Sequence, residues 1–110
     1  MSLSTHVLDT TRGVPAVGIP VRLERRDPGD QDSWTVVATG HTDETGRLRD
    51  WVPPHEWGAG VWRLVFDVWG YFDGGFFPEV VVIFTVTAPD QHYHVPLLLS
   101  PFGYTTYRGS

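Results

Sequence analysis

The 110-residue chain contains no cysteine. That excludes disulfide scaffolds, thiolate metal sites and cysteine nucleophiles. It contains no lysine either, since all eight of its cationic side chains are arginine. Schiff-base catalysis and P-loop phosphate binding both need a lysine amine, so both are excluded. Positive charge is scarce altogether: thirteen Asp and Glu leave a formal net charge of −5. Such an acidic domain lacks the electrostatic footprint of a nucleic-acid binder. No apolar run approaches the ~18 residues of a membrane span. Residues 1–10 carry neither the basic nor the apolar region of a secretory signal, so the cytoplasm is the expected location. The Gly-x-Ser-x-Gly elbow and the dinucleotide-binding glycine fingerprint are also missing.

What the chain has in quantity is apolar and turn-forming residues. Hydrophobic residues make up 41% and aromatics 14%, enough to build a core and exclude disorder. Twelve glycines and nine prolines mark many turns but stay below the low-complexity range of roughly 25–30%. The length fits one domain over residues 1–110, burying roughly two-thirds of the surface its unfolded form exposes. Period-two runs recur between turn signals, as an all-β sandwich requires. Strands are expected over 3–8, 21–25, 34–40, 62–68, 80–87, 92–99 and 104–107, with a possible eighth over 47–51. Residues 69–74 are the one stretch that could hold a helical turn. The five tryptophans, Trp34, Trp51, Trp57, Trp62 and Trp69, are expected to be core and staple residues, since aromatics dominate core burial.

Two strands carry a further signal. In the first, Leu3, Thr5 and Val7 share one face and Ser4, His6 and Leu8 the other. Near the end, Tyr93, Val95, Leu97 and Leu99 alternate with His92, His94, Pro96 and Leu98. The apolar set of each strand reads as core, which puts the histidines on the outer face. That face also carries Leu8, Leu98 and Pro96, a mixture that suits a surface covered by another subunit. Pro96 cannot donate to a ladder and should sit where no partner needs its N–H.

A neutral imidazole can take a proton from water near neutral pH, so His6 and His94 are candidate bases. Their spacing is equally that of two unrelated surface or interface histidines. His92 and His94 share a face and could form a two-nitrogen metal clamp, but no third ligand has suitable spacing, and no metal is expected. Arg47 follows the tight Thr45-Gly46 turn. Its forked donors suit a planar, anionic ligand, although Glu44 and Asp50 are near enough in sequence to pair with it. The segment Tyr107-Arg108-Gly109-Ser110 is unusual because it continues ordered-looking sequence to the last residue, where chain ends commonly fray.

Several of these segments resemble one family. The opening 3–16, LSTHVLDTTRGVPA, and the later 92–104, HYHVPLLLSPFGY, are similar to the first and penultimate strands of the transthyretin-like proteins. Thr45-Gly46-Arg47 and Phe77-Pro78-Glu79-Val80 also fit. The terminal Tyr107-Arg108-Gly109-Ser110 resembles the signature of one branch, the 5-hydroxyisourate hydrolases of urate breakdown. The resemblance implies a two-sheet transthyretin-like β-sandwich of about seven or eight strands with at most one short helix. It also implies a homotetramer, a dimer of dimers, with sites at the subunit interface. The implied activity is cofactor-free and metal-free hydrolysis of the cyclic amide of 5-hydroxyisourate to 2-oxo-4-hydroxy-4-carboxy-5-ureidoimidazoline. His6, Arg47, His94 and Ser110 are implied as catalytic residues, with His6, Arg47, Tyr107, Arg108 and Gly109 contacting substrate. The hormone-carrying branch has lysine, glutamate and threonine where this chain has His6, Arg47 and His94. The alternative is a transthyretin-like module that binds small aromatic ligands without turning them over. Residues 27–33, 53–60 and 69–75 match the family less clearly.

Overall fold

Alternation drives one side of each strand inward and leaves the other for water or a neighbour. A computed structural model describes residues 2–110, and among them nine strands form. In chain order they are β1 (Leu3–Asp9), β2 (Val14–Pro15), β3 (Pro20–Asp27), β4 (Asp30–His41), β5 (Arg47–Leu48), β6 (Gly60–Asp67), β7 (Glu79–Val86), β8 (Tyr93–Ser100) and β9 (Gly103–Thr106). One sheet runs β2-β1-β8-β9, with β5 also paired to β1; the other runs β4-β3-β6-β7. The only helix among the described residues is a single 3₁₀ turn, Pro54–Glu56. None is long and apolar enough to cross a membrane.

The two sheets close on one core. Val7, Leu23, Trp62, Leu64, Phe66 and Leu97 are fully buried between them, with Leu3, Tyr93, Val95 and Leu99 close behind. Burial of each such large side chain stabilises the fold by about 1.5–3 kcal/mol. The inward sets expected for β1 and β8 are therefore the observed ones. Trp62 is core, and Trp51 and Trp57 pack against it. Trp34 instead lies on the outer face of the second sheet, 4.2 Å from the Arg63 guanidinium. Trp69 departs from the expectation of a core role: it is 68% exposed.

Three local expectations change. Residues 69–74 form turns rather than helix. With Gly70, Gly74 and Gly75 nearby, the stretch is poor helix, and outside contacts hold it instead: the Tyr71 hydroxyl donates to buried Asp9 at 3.0 Å, and the Phe76 N–H donates to the Pro101 carbonyl at 2.7 Å. The strand expected over 47–51 shortens to Arg47–Leu48, because Asp50 takes a positive φ of 57°, which breaks an extended run. The β3–β4 hairpin closes over Pro28-Gly29 alone, Asp27 pairing with Asp30.

The parallel pairing of β1 with β8 positions the site. Its register joins Ser4 to His94 and His6 to Pro96. On the other side of β1, His6 pairs with Arg47 of β5. Pro96 sits in a gap of the β8–β9 ladder, between the Leu97–Thr106 pair and an isolated bridge of His94 to Gly109, so its missing N–H costs nothing there.

Candidate active site

Those registers lay two adjacent rows across the outer face of the first sheet. One row is Arg47, His6, Pro96 and the other is Ser4, His94, Gly109. Paired residues of neighbouring strands point to the same side. The structure thus brings together His6, Arg47 and His94, which lie far apart in sequence, and sets Gly109 beside them.

The turn before β5 is built to place two of these groups. Asp43 accepts from the Thr45 N–H at 2.8 Å, the Thr45 hydroxyl at 2.6 Å and the Arg47 N–H at 3.0 Å. These hydrogen bonds, the Thr45 hydroxyl first, hold the Asp43 carboxyl down to about 2. Gly46 has φ +77°, and a β-carbon there would stand 2.5 Å from the Val7 carbonyl oxygen. Only glycine lets the turn lie this close to β1, where the Val7 N–H donates to Gly46 at 2.8 Å.

The same turn aims the Thr45 carbonyl at His6, whose Nε2 is 2.9 Å away. A carbonyl only accepts, so Nε2 of neutral His6 carries the hydrogen and Nδ1 keeps the lone pair. Arg47 is half-buried, and the two ion pairs among the described residues are Arg22–Glu24 and Arg63–Glu24. Neither Glu44 nor Asp50 takes up the Arg47 guanidinium, whose donors stay free for a ligand.

His94 is held by Ser4, with Nδ1 2.8 Å from the Ser4 hydroxyl. The same hydroxyl lies 2.9 Å from Nε2 of His92. Burial first, and then the neighbouring His6 and His92 and the Arg47 cation, push the His94 imidazole below its ordinary range. It therefore stays neutral and able to accept a proton at neutral pH. The His94–Gly109 bridge, a 2.8 Å hydrogen bond from the Gly109 N–H to the His94 carbonyl, brings the tail alongside. Gly109 thus sits beside His94, while Ser110 and Tyr107 are exposed. Arg108 goes elsewhere. Its guanidinium lies 4.6 Å from the ring centroid of Tyr93, a core residue, on the side of the strand away from His94.

Ser4 and His92 have a place in this constellation that the sequence reading did not give them. Alternation put Ser4 on the His6 face, but its position beside His94 depends on a pairing between opposite ends of the chain. His92 drew attention only as half of a metal clamp; in the structure it shares a hydroxyl with His94.

Comparison with known proteins shows the family. A sequence model of the HIUase/Transthyretin family matches residues 3–109. The 5-hydroxyisourate hydrolase of Salmonella dublin is 44% identical over 112 residues, spanning 98% of this chain and 80% of that protein. The 5-hydroxyisourate hydrolase of Mus musculus is also 44% identical over 112 residues, spanning 98% of this chain and 94% of its own. Among solved structures, sea bream transthyretin in complex with thyroxine is similar with a TM-score of 0.91 and 32% identity, covering 99% of this chain and 95% of that one. With a match that runs through every strand of both sheets, the chain belongs to the HIUase/Transthyretin family.

Proposed function

We propose that this protein is a 5-hydroxyisourate hydrolase, opening the six-membered ring of its substrate by adding water to the cyclic amide. The observation that carries the reading is the convergence of His6, His94 and the unpaired Arg47 in two neighbouring rows of one sheet face. The activity for which the relatives are named supplies the substrate.

Water is the nucleophile. A neutral imidazole, His94 or His6 through Nδ1, takes its proton as the oxygen attacks the carbonyl carbon. Such general-base help contributes about 10²–10⁴-fold. Arg47 holds the planar substrate and faces the charge that develops on the carbonyl oxygen, a contribution of about 10²–10³-fold. The C–N bond then breaks, and the ring nitrogen takes a proton. Gly109 and Ser110 line the site beside His94, the Ser110 hydroxyl as a partner for water or substrate, and Tyr107 borders it.

We extend the proposal to assembly as a homotetramer working in the cytoplasm, with the site face of one subunit covered by another. Support comes from the half-buried Leu8 and Leu98 on that face and from the open edges of both sheets. Edge strand β7 exposes Ile83 (59%) and β9 exposes Tyr104 (41%), and bare apolar edges are pairing surfaces.

The experiment is a coupled assay. Urate oxidase generates 5-hydroxyisourate from urate, and its ultraviolet decay is followed with and without this protein. Accelerated decay supports the hydrolase. Saturable binding without faster decay assigns the chain to the carrier side of its family instead.

A further inference from the structure

The Ser4 hydroxyl stands between two imidazoles. It lies 2.8 Å from Nδ1 of His94 and 2.9 Å from Nε2 of His92, while Ser4 is nearly buried and His92 exposed. A hydroxyl has one hydrogen, so it donates to one ring and accepts from the other. The three side chains then hold two complementary hydrogen-bond patterns, and changing one for the other moves protons along the row.

We propose that Ser4 couples His94 to His92 as a proton relay that carries the charge gained by His94 out to the exposed ring. This rests on the hydrolase reading, with His94 as the general base. In the resting pattern, the Nδ1–H of His94 donates to Ser4 Oγ, and the Ser4 O–H donates to Nε2 of His92. Nε2 of His94 then keeps its lone pair. Water gives a proton to that nitrogen as its oxygen bonds to the carbonyl carbon. The Nδ1 proton passes to Ser4 Oγ as the hydroxyl proton passes to His92, which becomes the imidazolium. When the C–N bond breaks, the ring nitrogen takes the proton from Nε2 of His94, and the relay runs back to its resting pattern. One O–C bond forms, one C–N bond breaks, and the water proton ends on the leaving nitrogen.

The surroundings give the relay its purpose. The groups facing His94 are His6 from β1, Arg47 from β5, and His92 and Ser4 through the shared hydroxyl. The Arg47 cation and His6 both oppose a positive charge on His94. On His92 the same charge stands in water, where opposition is screened. Ser4 and His92 are positioning residues, acting through His94.

The test compares Ser4→Ala, Ser4→Thr, His92→Gln and the double variant Ser4→Ala/His92→Gln. Readouts are kcat, KM, the pH profile and the solvent isotope effect across H₂O/D₂O mixtures. Loss of the relay is expected to lower kcat by about 10- to 100-fold, part of the general-base contribution, with KM kept. The isotope dependence should change from curved, with several protons in flight, to linear. Ser4→Thr should restore both, and the double variant should be no worse than either single one. Wild-type kcat and isotope curvature in Ser4→Ala, or an additive double variant, would overturn the relay. Exposed His92 keeps the test alive should Ser4→Ala fail to fold. Nitrogen-15 NMR of the unliganded protein needs no turnover. The relay predicts that His92 and His94 titrate as a coupled pair that Ser4→Ala separates. Independent titration in the wild type would refute it, whereas a coupled pair in a protein inert toward 5-hydroxyisourate would refute only the hydrolase reading.

Discussion

Gly109 leaves no room for a side chain against His94: a β-carbon there would stand 2.5 Å from His94 Cδ2. Its N–H meanwhile donates to the His94 carbonyl at 2.8 Å. The contact is backbone against a ring that Ser4 already holds from the other side, so the ring cannot yield cheaply. Gly109→Ala should displace either the tail or the imidazole. A misplacement of about 1 Å costs about 10²-fold in turnover, and that is the loss expected in kcat/KM. The melting temperature should change little, because one bridge near the chain end carries little stability. Full activity in Gly109→Ala would remove the tail from the site.

In the proposed mechanism Arg47 acts on both substrate and base, and two substitutions separate these effects. Arg47→Lys keeps the charge and loses the fork; Arg47→Ala loses both. Each should lower kcat/KM by about 10²–10³-fold. They should differ at His94. Burial and neighbouring charge hold its pKa below the ordinary imidazole value, so the acid limb of wild-type activity lies below about pH 6.5. Removing a nearby positive charge favours the protonated ring. In Arg47→Ala the His94 pKa and the acid limb therefore move up, while in Arg47→Lys they stay near the wild-type position. An NMR titration of His94 measures this directly, and a downward shift in Arg47→Ala would contradict the proposed proximity.

The turn before β5 makes a prediction about folding as well as chemistry. Gly46→Ala meets the Val7 carbonyl at 2.5 Å with φ at +77°. Strain of this kind costs about 1–3 kcal/mol. Because the turn also carries the Thr45 carbonyl to His6 and sets Arg47, activity should fall further than stability alone explains. Chemical denaturation and kinetics on the same preparation test the pair. A stable, fully active Gly46→Ala would show that the approach to β1 is not needed.

Much of this site was legible in alternation. Tyr93, Val95, Leu97 and Leu99 are buried, and His94 faces out, because a strand covered on one side must separate its residues by parity. What periodicity cannot supply is register between distant strands. Ser4 stands beside His94 through a parallel pairing between residues 90 apart in sequence, and no local pattern records it. The start of β4 was hidden for another reason. Asp30, Gln31, Asp32 and Ser33 belong to an exposed hairpin arm with no apolar face to mark it. Gly109 bridges His94, while Arg108 beside it turns to the other face, as parity in an extended segment requires.

Asp43 predicts acid behaviour. Its carboxyl is held down to about 2 by the Thr45 hydroxyl and by the Arg47 and Thr45 N–H groups. The unfolded-state value is about 3.9. A carboxylate lowered in the folded state adds stability that is fully present above the unfolded value and is lost as pH falls toward the folded one. Wild-type stability should therefore decline between about pH 4 and pH 2. Asp43→Asn should be less stable at neutral pH and lose less over that window. Urea midpoints at pH 6, 4 and 2.5 distinguish the two curves; parallel curves would mean that the carboxylate charge does not hold the turn.

Arg108 separates structural from chemical contributions within the tail. Its guanidinium lies over Tyr93 at 4.6 Å, and the Tyr93 hydroxyl accepts from the N–H groups of Thr87 and Ala88 at 3.1 and 3.0 Å. Arg108 thus staples the tail to the segment following β7. An exposed cation–π contact is worth about 0.5–1 kcal/mol, so Arg108→Ala should lower stability by about that amount. Activity should fall less than in Gly109→Ala, because the His94–Gly109 hydrogen bond still holds the tail in place. Arg108→Lys, which keeps the charge over the ring, should recover part of the stability. If Arg108→Ala instead cost as much activity as Arg47→Ala at unchanged stability, the guanidinium would have to leave Tyr93 and reach substrate during turnover. The tail would then move in the catalytic cycle rather than act as a fixed wall.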